Sequence, residues 1–146
     1  MKVKDVLNHK GRAVITVRPD ASLATSIHRM ALERIGALVV SEDGVHLAGI
    51  LSERDIVRVL AERGAEILDS GLHVEEVMTR HVHTCAPGDL IKDVMGVMTR
   101  SRIRHLPVIE NGRLAGMISI GDVVKNRLEE VELEASVLRE AYIALH

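Results

Sequence analysis

Two stretches of the sequence decide the fold: Gly44–Asp55, which reads GVHLAGILSERD, and Gly112–Asp122, which reads GRLAGMISIGD. Each runs from a glycine-containing turn through an apolar segment and ends in the pattern Gly-x-x-Ser-x-x-Asp. The residues of this pattern are Gly49, Ser52 and Asp55 in the first stretch and Gly116, Ser119 and Asp122 in the second. Because the two patterns lie 67 residues apart, the sequence indicates a duplicated unit.

The repetition extends outward from these stretches. Val14–Asp20 (VITVRPD) matches Val82–Gly88 (VHTCAPG), and the earlier segment Val3–Leu7 (VKDVL) matches Val74–Met78 (VEEVM). We call residues 3–14 the first lead-in and residues 74–82 the second lead-in. Matched apolar positions with a one-residue difference in a turn are typical of two copies of one fold unit, since turns tolerate insertions.

Each copy is predicted to fold in the order β-α-β-β-α. Strands are expected at residues 14–17, 37–40 and 47–51 in the first copy and at 82–84, 106–109 and 114–119 in the second, with helices at the apolar segments of helical spacing between and after them. A single copy of about 55 residues would be marginally stable, so the two sheets should pack on each other. We therefore predict an α+β fold of two repeats, 1–68 and 69–128, packed sheet to sheet, and a C-terminal helix over 129–146.

Composition excludes several classes of function. The 146 residues carry 19 basic and 21 acidic side chains, which argues against a polybasic nucleic-acid binder. With no Phe, no Trp and one Tyr, the chain also lacks the aromatic platforms on which single-stranded nucleic acids stack. One cysteine excludes an intramolecular disulfide, and no apolar run approaches the ~18 residues of a membrane span. We predict a cytoplasmic protein with neither a nucleic-acid partner nor a membrane partner.

The repeated Gly-x-x-Ser-x-x-Asp pattern has two physical interpretations. A helix N-terminus presents unpaired N–H groups that suit a phosphate, and an Asp one turn further on can accept hydrogen bonds from a ribose. The same Ser-x-x-Asp spacing also resembles a capping box, in which the two residues satisfy the helix's own backbone. Spacing and repetition do not separate these interpretations, because a duplicated cap would repeat as well.

Further stretches resemble a cystathionine β-synthase (CBS) domain. They are Val77–Arg80 (VMTR), Arg102–Val108 (RIRHLPV) and Asn111–Asp122 (NGRLAGMISIGD), and the end of the first repeat at Asp55 resembles a second such domain. The resemblance covers residues 1 to about 128 and implies a pair of CBS domains, a Bateman module with pseudo-twofold symmetry and two clefts. Family members commonly bind AMP, ADP, ATP, S-adenosylmethionine or NAD in these clefts, and many regulate enzymes or transporters. The chain is similar to small stand-alone bacterial members of the family.

The resemblance also implies roles for individual residues. Asp55 and Asp122 would hold ribose hydroxyls, Ser52 and Ser119 would contact phosphate or ribose, and Met117 and Ile120 would flank the adenine. Arg104 and His105, which precede Pro107, stand where relatives place phosphate-contacting basic residues. The first repeat has Ile35–Val39 (IGALV) at the corresponding place and lacks both the basic pair and the proline. The Asp122 cleft is therefore expected to be the better phosphate site, with Arg54 as a compensating cation in the Asp55 cleft.

Each cleft lies between the repeats, so the lead-in of the opposite copy should close it. This argument predicts one set of residues near Asp122, namely Lys10, Arg12, Ala13 and Val14. It predicts a second set near Asp55, namely Arg80, His81 and Val82.

A metal site and an enzymatic site are both disfavoured by the sequence. His81 and His83 lie on one strand face with Cys85 or His73 nearby, but no fixed third and fourth ligand is evident, so surface histidines are the simpler interpretation. Cys85 lacks an evident His-Asp partnership that would activate it. The common nucleotide-hydrolase and metalloprotease motifs are absent. We predict a non-enzymatic binding protein without a metal.

The last part of the chain carries a heptad-like apolar stripe. Its residues are Leu128, Val131, Ala135, Leu138, Tyr142 and Leu145. The stripe predicts a homodimer contact, with a helix folded onto its own module as the alternative.

The leading hypothesis is an adenine-nucleotide sensor, with AMP as the first candidate ligand and ATP, ADP or NAD as others, which signals to an unidentified regulated protein. The alternative is a ligand-free homodimeric interaction scaffold.

Overall fold

The computed structural model describes all 146 residues, Met1–His146, and contains five α-helices and five strands. In chain order the elements are α1 (Val3–Lys10), β1 (Thr16–Val17), α2 (Leu23–Glu33), β2 (Ala37–Val40), β3 (Gly49–Ser52), α3 (Glu53–Arg63), α4 (Ile91–Ser101), β4 (His105–Glu110), β5 (Arg113–Ser119) and α5 (Ile120–Leu145). Short 3-10 helices at Ala65–Leu68 and Val74–Glu76 lie between α3 and α4. The predicted α+β fold of two related repeats is confirmed.

The sheet of the first repeat has three strands in the order β1-β2-β3, with β1 parallel to β2 and β2 antiparallel to β3. The second repeat has only the antiparallel pair β4-β5. The two strands are joined at Asn111 and Gly112, whose positive φ angles of 53° and 76° suit a two-residue hairpin turn.

The strand predicted at residues 82–84 is wrong, because only Cys85 forms a bridge, parallel to Val108. Proline explains the loss. In the first repeat the Val39 N–H donates to the Ile15 carbonyl at 3.4 Å, as part of the β1-β2 ladder. Pro107 occupies the place of Val39 and has no N–H to donate, so the matching bond cannot form.

The two apolar cores exchange their lead-ins. Val3, Val6 and Leu7 of α1 are buried in the core of the second repeat, although they precede the first. Val77 and Met78 of the second lead-in are buried in the core of the first repeat in the same way. Each repeat is therefore completed by the other's lead-in.

Two glycines make this exchange possible. A Cβ on Gly116 of β5 would lie 2.6 Å from the Leu7 side chain, and a Cβ on Gly49 of β3 would lie 2.7 Å from the Met78 sulfur. These distances are far below van der Waals contact, so each lead-in packs directly on a strand backbone.

The last helix, α5, runs without a break from Ile120 to Leu145. The C-terminal helix predicted over 129–146 is thus the continuation of the second helix of the second repeat, and the domain limits at residues 68 and 128 stay predictions. Every residue from 131 onward is exposed. None of the helices combines the length and the apolar character that crossing a membrane requires.

Candidate functional site

The corner between β3 and α3 is a capping box. The Ser52 Oγ accepts the Asp55 N–H at 3.3 Å, and the Asp55 Oδ2 accepts both the Ser52 N–H at 2.9 Å and the Ser52 hydroxyl at 3.0 Å. These bonds satisfy backbone donors that the first turn of a helix leaves without partners. The capping interpretation of this Ser-x-x-Asp pattern therefore describes the geometry correctly.

The second oxygen of Asp55 is also occupied. Its Oδ1 accepts the Thr79 hydroxyl at 2.9 Å and the Arg58 Nη2 at 3.3 Å, and the residue is only 5% exposed. Thr79 belongs to the second lead-in, so this carboxylate joins the two halves of the molecule. An ionised carboxylate offers about four acceptor positions, and four donors already use them here.

The corresponding corner between β5 and α5 has the same capping box and a different neighbour. The Asp122 Oδ2 accepts the Ser119 N–H at 2.9 Å, and the Ser119 Oγ accepts the Asp122 N–H at 3.2 Å. The Lys10 ammonium then donates to the Asp122 Oδ2 at 2.7 Å and to the Met117 carbonyl at 2.9 Å. Partial burial acts to raise the pKa of Asp122, but the hydrogen bonds from Lys10 and Ser119 outweigh it and the pKa is lowered.

An open cavity of about 400 Å³ lies beside Asp55 and is lined by residues of both repeats. Its apolar wall consists of Ile50, Val57, Val82 and Ile103. A cavity of this size, mostly apolar with a few polar groups, is typical of small-molecule sites. The capping box at Asp55 thus coexists with unfilled space next to it.

Three arginines line the same cavity: Arg54 of α3 and Arg102 and Arg104 of the segment before β4. None of the three forms an ion pair, although Arg54 donates to the Arg102 carbonyl. A smaller cavity of about 210 Å³ shares all three arginines and also includes Ile120. Because like charges held together repel, this unpaired cluster favours an anion as a binding partner.

His105 completes this wall of the cavity. Burial lowers the pKa of His105, and the cations Lys10 and Arg104 lower it further, against the opposing carboxylates of Glu53 and Asp122. The His105 ring lies against Gly36 of the first repeat, which has no side chain to exclude it. A Cβ at Gly36 would lie 3.1 Å from the His105 Cε1.

The basic pair lies between the two clefts. Arg104 and His105, expected at the Asp122 cleft, line the cavity beside Asp55, where Gly36 makes space, while the charges of Lys10 and Asp122 also act on His105. That the Asp122 cleft is the better phosphate site stays a prediction. The Lys10 ammonium, predicted in this cleft, lies there against the carboxylate of Asp122.

The predicted closing residues are only partly brought to their clefts. Val82 lines the Asp55 cavity, whereas Arg80 and His81 do not, and Arg80 donates to the Glu75 carbonyl instead. Sequence reasoning missed eight lining residues, namely Gly36, Ile50, Glu53, Val57, Thr79, His83, Arg102 and Ile103. Thr79 and Arg102 stand inside the quoted VMTR and RIRHLPV stretches, so the signal that could have identified them was present.

Near Asp122, Lys10 alone of its predicted set makes a recorded contact with the carboxylate. Arg12 lies 3.7 Å from Glu110 and also donates to Asn8, while Ala13 is exposed and Val14 half-buried. Further members of the predicted site sit apart from the large cavity. Pro107 is buried in β4, Met117 contributes its carbonyl to Lys10, and Ile120 lines the smaller cavity.

The structure shows neither an activated thiol at Cys85 nor a metal-binding group of histidines. Burial, together with Asp89, raises the pKa of Cys85 to about 12, so the thiol is protonated at neutral pH. No three His, Cys, Asp or Glu side chains of the chain are grouped closely enough to hold a metal ion.

The fold and this interdomain cavity define a class of protein. The family model of the CBS domain matches the chain twice, over residues 3–62 and 74–129. The chain therefore belongs to the CBS-domain family and contains a tandem pair of these domains.

Relatives with known structures share this fold. The crystal structure of the CBS-domain containing protein ATU1752 from Agrobacterium tumefaciens is 47% identical, has a TM-score of 0.82, and the match covers 87% of this chain and 99% of that one. The CBS domain pair of protein MJ0100, solved in complex with 5′-methylthioadenosine and S-adenosyl-L-methionine, is 25% identical with a TM-score of 0.76. That match covers 89% of this chain and 98% of the other.

Among curated relatives, the CBS domain-containing protein CBSX3, mitochondrial, of Arabidopsis thaliana is 34% identical over 149 residues. The alignment covers 97% of this chain and 71% of CBSX3. The chain spans between 21% and 98% of the length of other curated relatives that it matches, and 39% of the protein MJ1225 of Methanocaldococcus jannaschii.

Proposed function

We propose that the protein is a non-enzymatic regulatory module that binds an adenine nucleotide in the cavity beside Asp55. The observation that carries this proposal is the unpaired cluster of Arg54, Arg102 and Arg104 on the wall of a mostly apolar cavity of about 400 Å³. A nucleotide combines an apolar, planar base with an anionic phosphate, and the cavity offers surfaces for both. The adenosine-containing ligands of the MJ0100 domain pair support the same class of ligand.

Each part of the nucleotide has a counterpart in the cavity. The base would lie against Ile50, Val57, Val82 and Ile103, and the phosphate would lie among the three arginines, near the N-terminus of α3. Helix N-termini and guanidinium groups both favour phosphate, and each charge-assisted hydrogen bond contributes about 1.5–3 kcal/mol.

The ribose would bind at Asp55 only by displacing a donor, because the carboxylate already accepts four hydrogen bonds. The bond from Arg58 is at 3.3 Å the longest of the four, and the Arg58 side chain is 52% exposed. We therefore expect a ribose hydroxyl to take the position of Arg58 and to leave Thr79 in place.

AMP is the first ligand to test, and ADP, ATP and NAD follow, because the shared feature is the adenosine with at least one phosphate. We further propose that the module acts in the cytoplasm as a homodimer and that ligand binding changes its conformation, which an unidentified regulated protein then detects. The exposed apolar stripe of α5 supports the homodimer.

Thermal unfolding with and without nucleotide tests the proposal. At 100 times the Kd, a ligand stabilises the folded state by roughly 2.7 kcal/mol, so AMP, ADP, ATP or NAD should raise the Tm. Arg104→Ala should weaken binding by roughly tenfold to a hundredfold, from the loss of one charge-assisted bond. Arg80→Ala is the matched control, since Arg80 is exposed, equally charged and outside the cavity lining.

The proposal fails if none of these nucleotides shifts the Tm or binds in calorimetry. It also fails if Arg80→Ala reduces affinity as much as Arg104→Ala, because the arginine cluster would then have no special role.

A second candidate function is a ligand-free homodimeric scaffold. The observation that favours it is that both aspartates are folded back on their own helix caps. It predicts that replacing Arg102 or Arg104 leaves partner binding unchanged, and that no nucleotide affects unfolding. Calorimetry with the wild-type protein therefore separates the two functions.

A further inference from the structure

The last four turns of α5 extend away from both repeats with an apolar stripe uncovered. Val131 is 48% exposed, Leu138 71%, Tyr142 63% and Leu145 82%. All hydrogen bonds made by residues 131–146 remain within α5. The CBS-domain match ends at residue 129, so this segment is an addition to the family's module.

A helix of this kind needs a partner. Residues 131–145 extend for about 22 Å at 1.5 Å per residue. Isolated helices shorter than about 12–15 residues are marginal in water, and most helical stability in proteins comes from packing an apolar face. The last polar contact between α5 and the rest of the molecule is at Glu130, which pairs with the Met1 amino group at 3.3 Å.

We infer that this face pairs with the same face of a second copy, as a parallel, in-register coiled coil. The stripe occupies the a positions Leu128, Ala135 and Tyr142 and the d positions Val131, Leu138 and Leu145. The flanking g and e positions then carry charges that distinguish one orientation from the other.

In a parallel pair, each g position meets the e position five residues later in the other helix. Arg127 would meet the partner's Glu132, and Glu134 would meet the partner's Arg139. Both contacts occur twice by symmetry, which gives four pairs of opposite charge and none of like charge.

An antiparallel pair is less favourable. Its a positions pack against d positions, so full overlap of the stripe places Ala135 opposite the partner's Leu138. Glu132 would still meet the partner's Arg139, but Glu134 would meet the partner's Ala141. This arrangement keeps only two of the four attractive pairs. Charge therefore favours the parallel orientation.

Disulfide trapping tests the orientation in the full-length chain. In a Cys85→Ala background, Leu138→Cys places identical d positions opposite each other only in the parallel pair. We expect Leu138→Cys to form a covalent dimer under mild oxidation, whereas Leu133→Cys, 66% exposed but outside the stripe, should not. If Leu138→Cys crosslinks only when mixed with Ala135→Cys, the pair is antiparallel and the inference is wrong.

Charge variants give an independent measurement by analytical ultracentrifugation. Glu134→Gln removes two attractive pairs in the parallel dimer and should raise its dissociation constant roughly threefold to fivefold. In the antiparallel dimer Glu134 faces an alanine, so the same variant would leave the constant unchanged. Glu134→Lys combined with Arg139→Glu should restore the affinity that Glu134→Lys alone loses.

These variants lie outside the nucleotide cavity, so a failure here would not bear on ligand binding. A wild-type protein that sediments as a monomer at all accessible concentrations would overturn the inference, as would a dimer that Leu138→Glu leaves intact.

Discussion

The clefts beside Asp55 and Asp122 are built on the same motif, but different residues surround the two carboxylates. Both aspartates form a capping box with the serine three residues before them. The Asp55 cleft holds a cavity of about 400 Å³, whereas the Asp122 carboxylate is paired with the Lys10 ammonium at 2.7 Å. The motif therefore specifies the helix corner, and other residues decide whether a ligand can enter.

The lead-ins are the source of the difference. The first lead-in stays helical through Lys10, so a long basic side chain reaches the Met117 carbonyl and Asp122. The second lead-in ends its 3-10 helix at Glu76 and turns into a bridge at Thr79, where Thr79 and Ile50 exchange backbone hydrogen bonds of 2.9 and 3.0 Å. Thr79 places a short side chain against Asp55, whereas Lys10 places a long one against Asp122. The cavity beside Asp55 therefore stays open.

The largest expected contrast is in stability. Asp55→Ala removes a helix cap together with the bonds to Thr79 and Arg58, so it should cost about 2–3 kcal/mol and lower the Tm by roughly 5–10 °C. Asp122→Ala should cost about 1 kcal/mol, because its carboxylate is more exposed and is bonded only to its cap and Lys10. Asp20→Ala, in an exposed ion pair with Arg18, serves as the control in the same melting experiment. Equal losses at Asp55 and Asp122 would contradict the comparison.

The next contrast concerns the glycines under the lead-ins. Gly49→Ala would bring a Cβ to 2.8 Å from the Thr79 carbonyl, which is backbone, whereas Gly116→Ala meets only the flexible end of Leu7. We expect Gly49→Ala to cost about 2–3 kcal/mol and Gly116→Ala about 1 kcal/mol, since overpacking costs more where the neighbour cannot move. Urea unfolding measures both, and a larger loss at Gly116 would show that Leu7 is held more rigidly than Thr79.

Lys10→Ala should free the second cleft at a small cost in stability. The ion pair is partly exposed, at 35% for Lys10 and 22% for Asp122, so its loss should cost no more than about 1 kcal/mol. If Lys10 is what excludes ligand from this cleft, the number of nucleotides bound per chain should rise from one to two in calorimetry. Lys4→Ala, on the exposed side of α1, is the matched control. An unchanged stoichiometry would mean that the Asp122 cleft is closed for another reason.

The smallest expected effect is the pH dependence from His105. Because burial lowers its folded pKa, the unfolded state binds more protons below about pH 6.5, and stability falls as the pH drops from there toward the folded value. The slope is at most about 1.4 kcal/mol per pH unit for one proton. Asp122, whose pKa is lowered, contributes in a separate window below about pH 4. Melting curves of wild type and His105→Asn between pH 7 and 5 should therefore converge as the pH falls.

Most of the fold could be predicted from the sequence, because a repeated pattern fixes two copies of one unit and turn residues mark their hairpins. The absence of a strand at residues 82–84 could not be predicted, since it depends on the missing N–H of Pro107 in a different element. Periodicity also cannot show that Val3 and Leu7 pack on the more distant repeat.

The candidate site was predicted in parts. The Ser-x-x-Asp corners and the contact between Lys10 and Asp122 followed from the motif and the pseudo-symmetry. The position of Arg104 and His105 beside the Asp55 cavity could not be predicted in this way. It depends on the absence of a side chain at Gly36, and a comparison of the two repeats shows this glycine only as one difference among others.

The exchanged lead-ins have a consequence for synthesis on the ribosome. Helix α1 precedes the rest of the domain pair, and the backbone of Gly116 on which Leu7 packs emerges more than a hundred residues later. At about 5–20 residues per second, the apolar face of α1 waits on the order of 5–20 s for its binding surface. During that interval Val3, Val6 and Leu7 are open to chaperones and to other nascent chains. The packing that completes α1 is thus among the last steps in the folding of the domain pair.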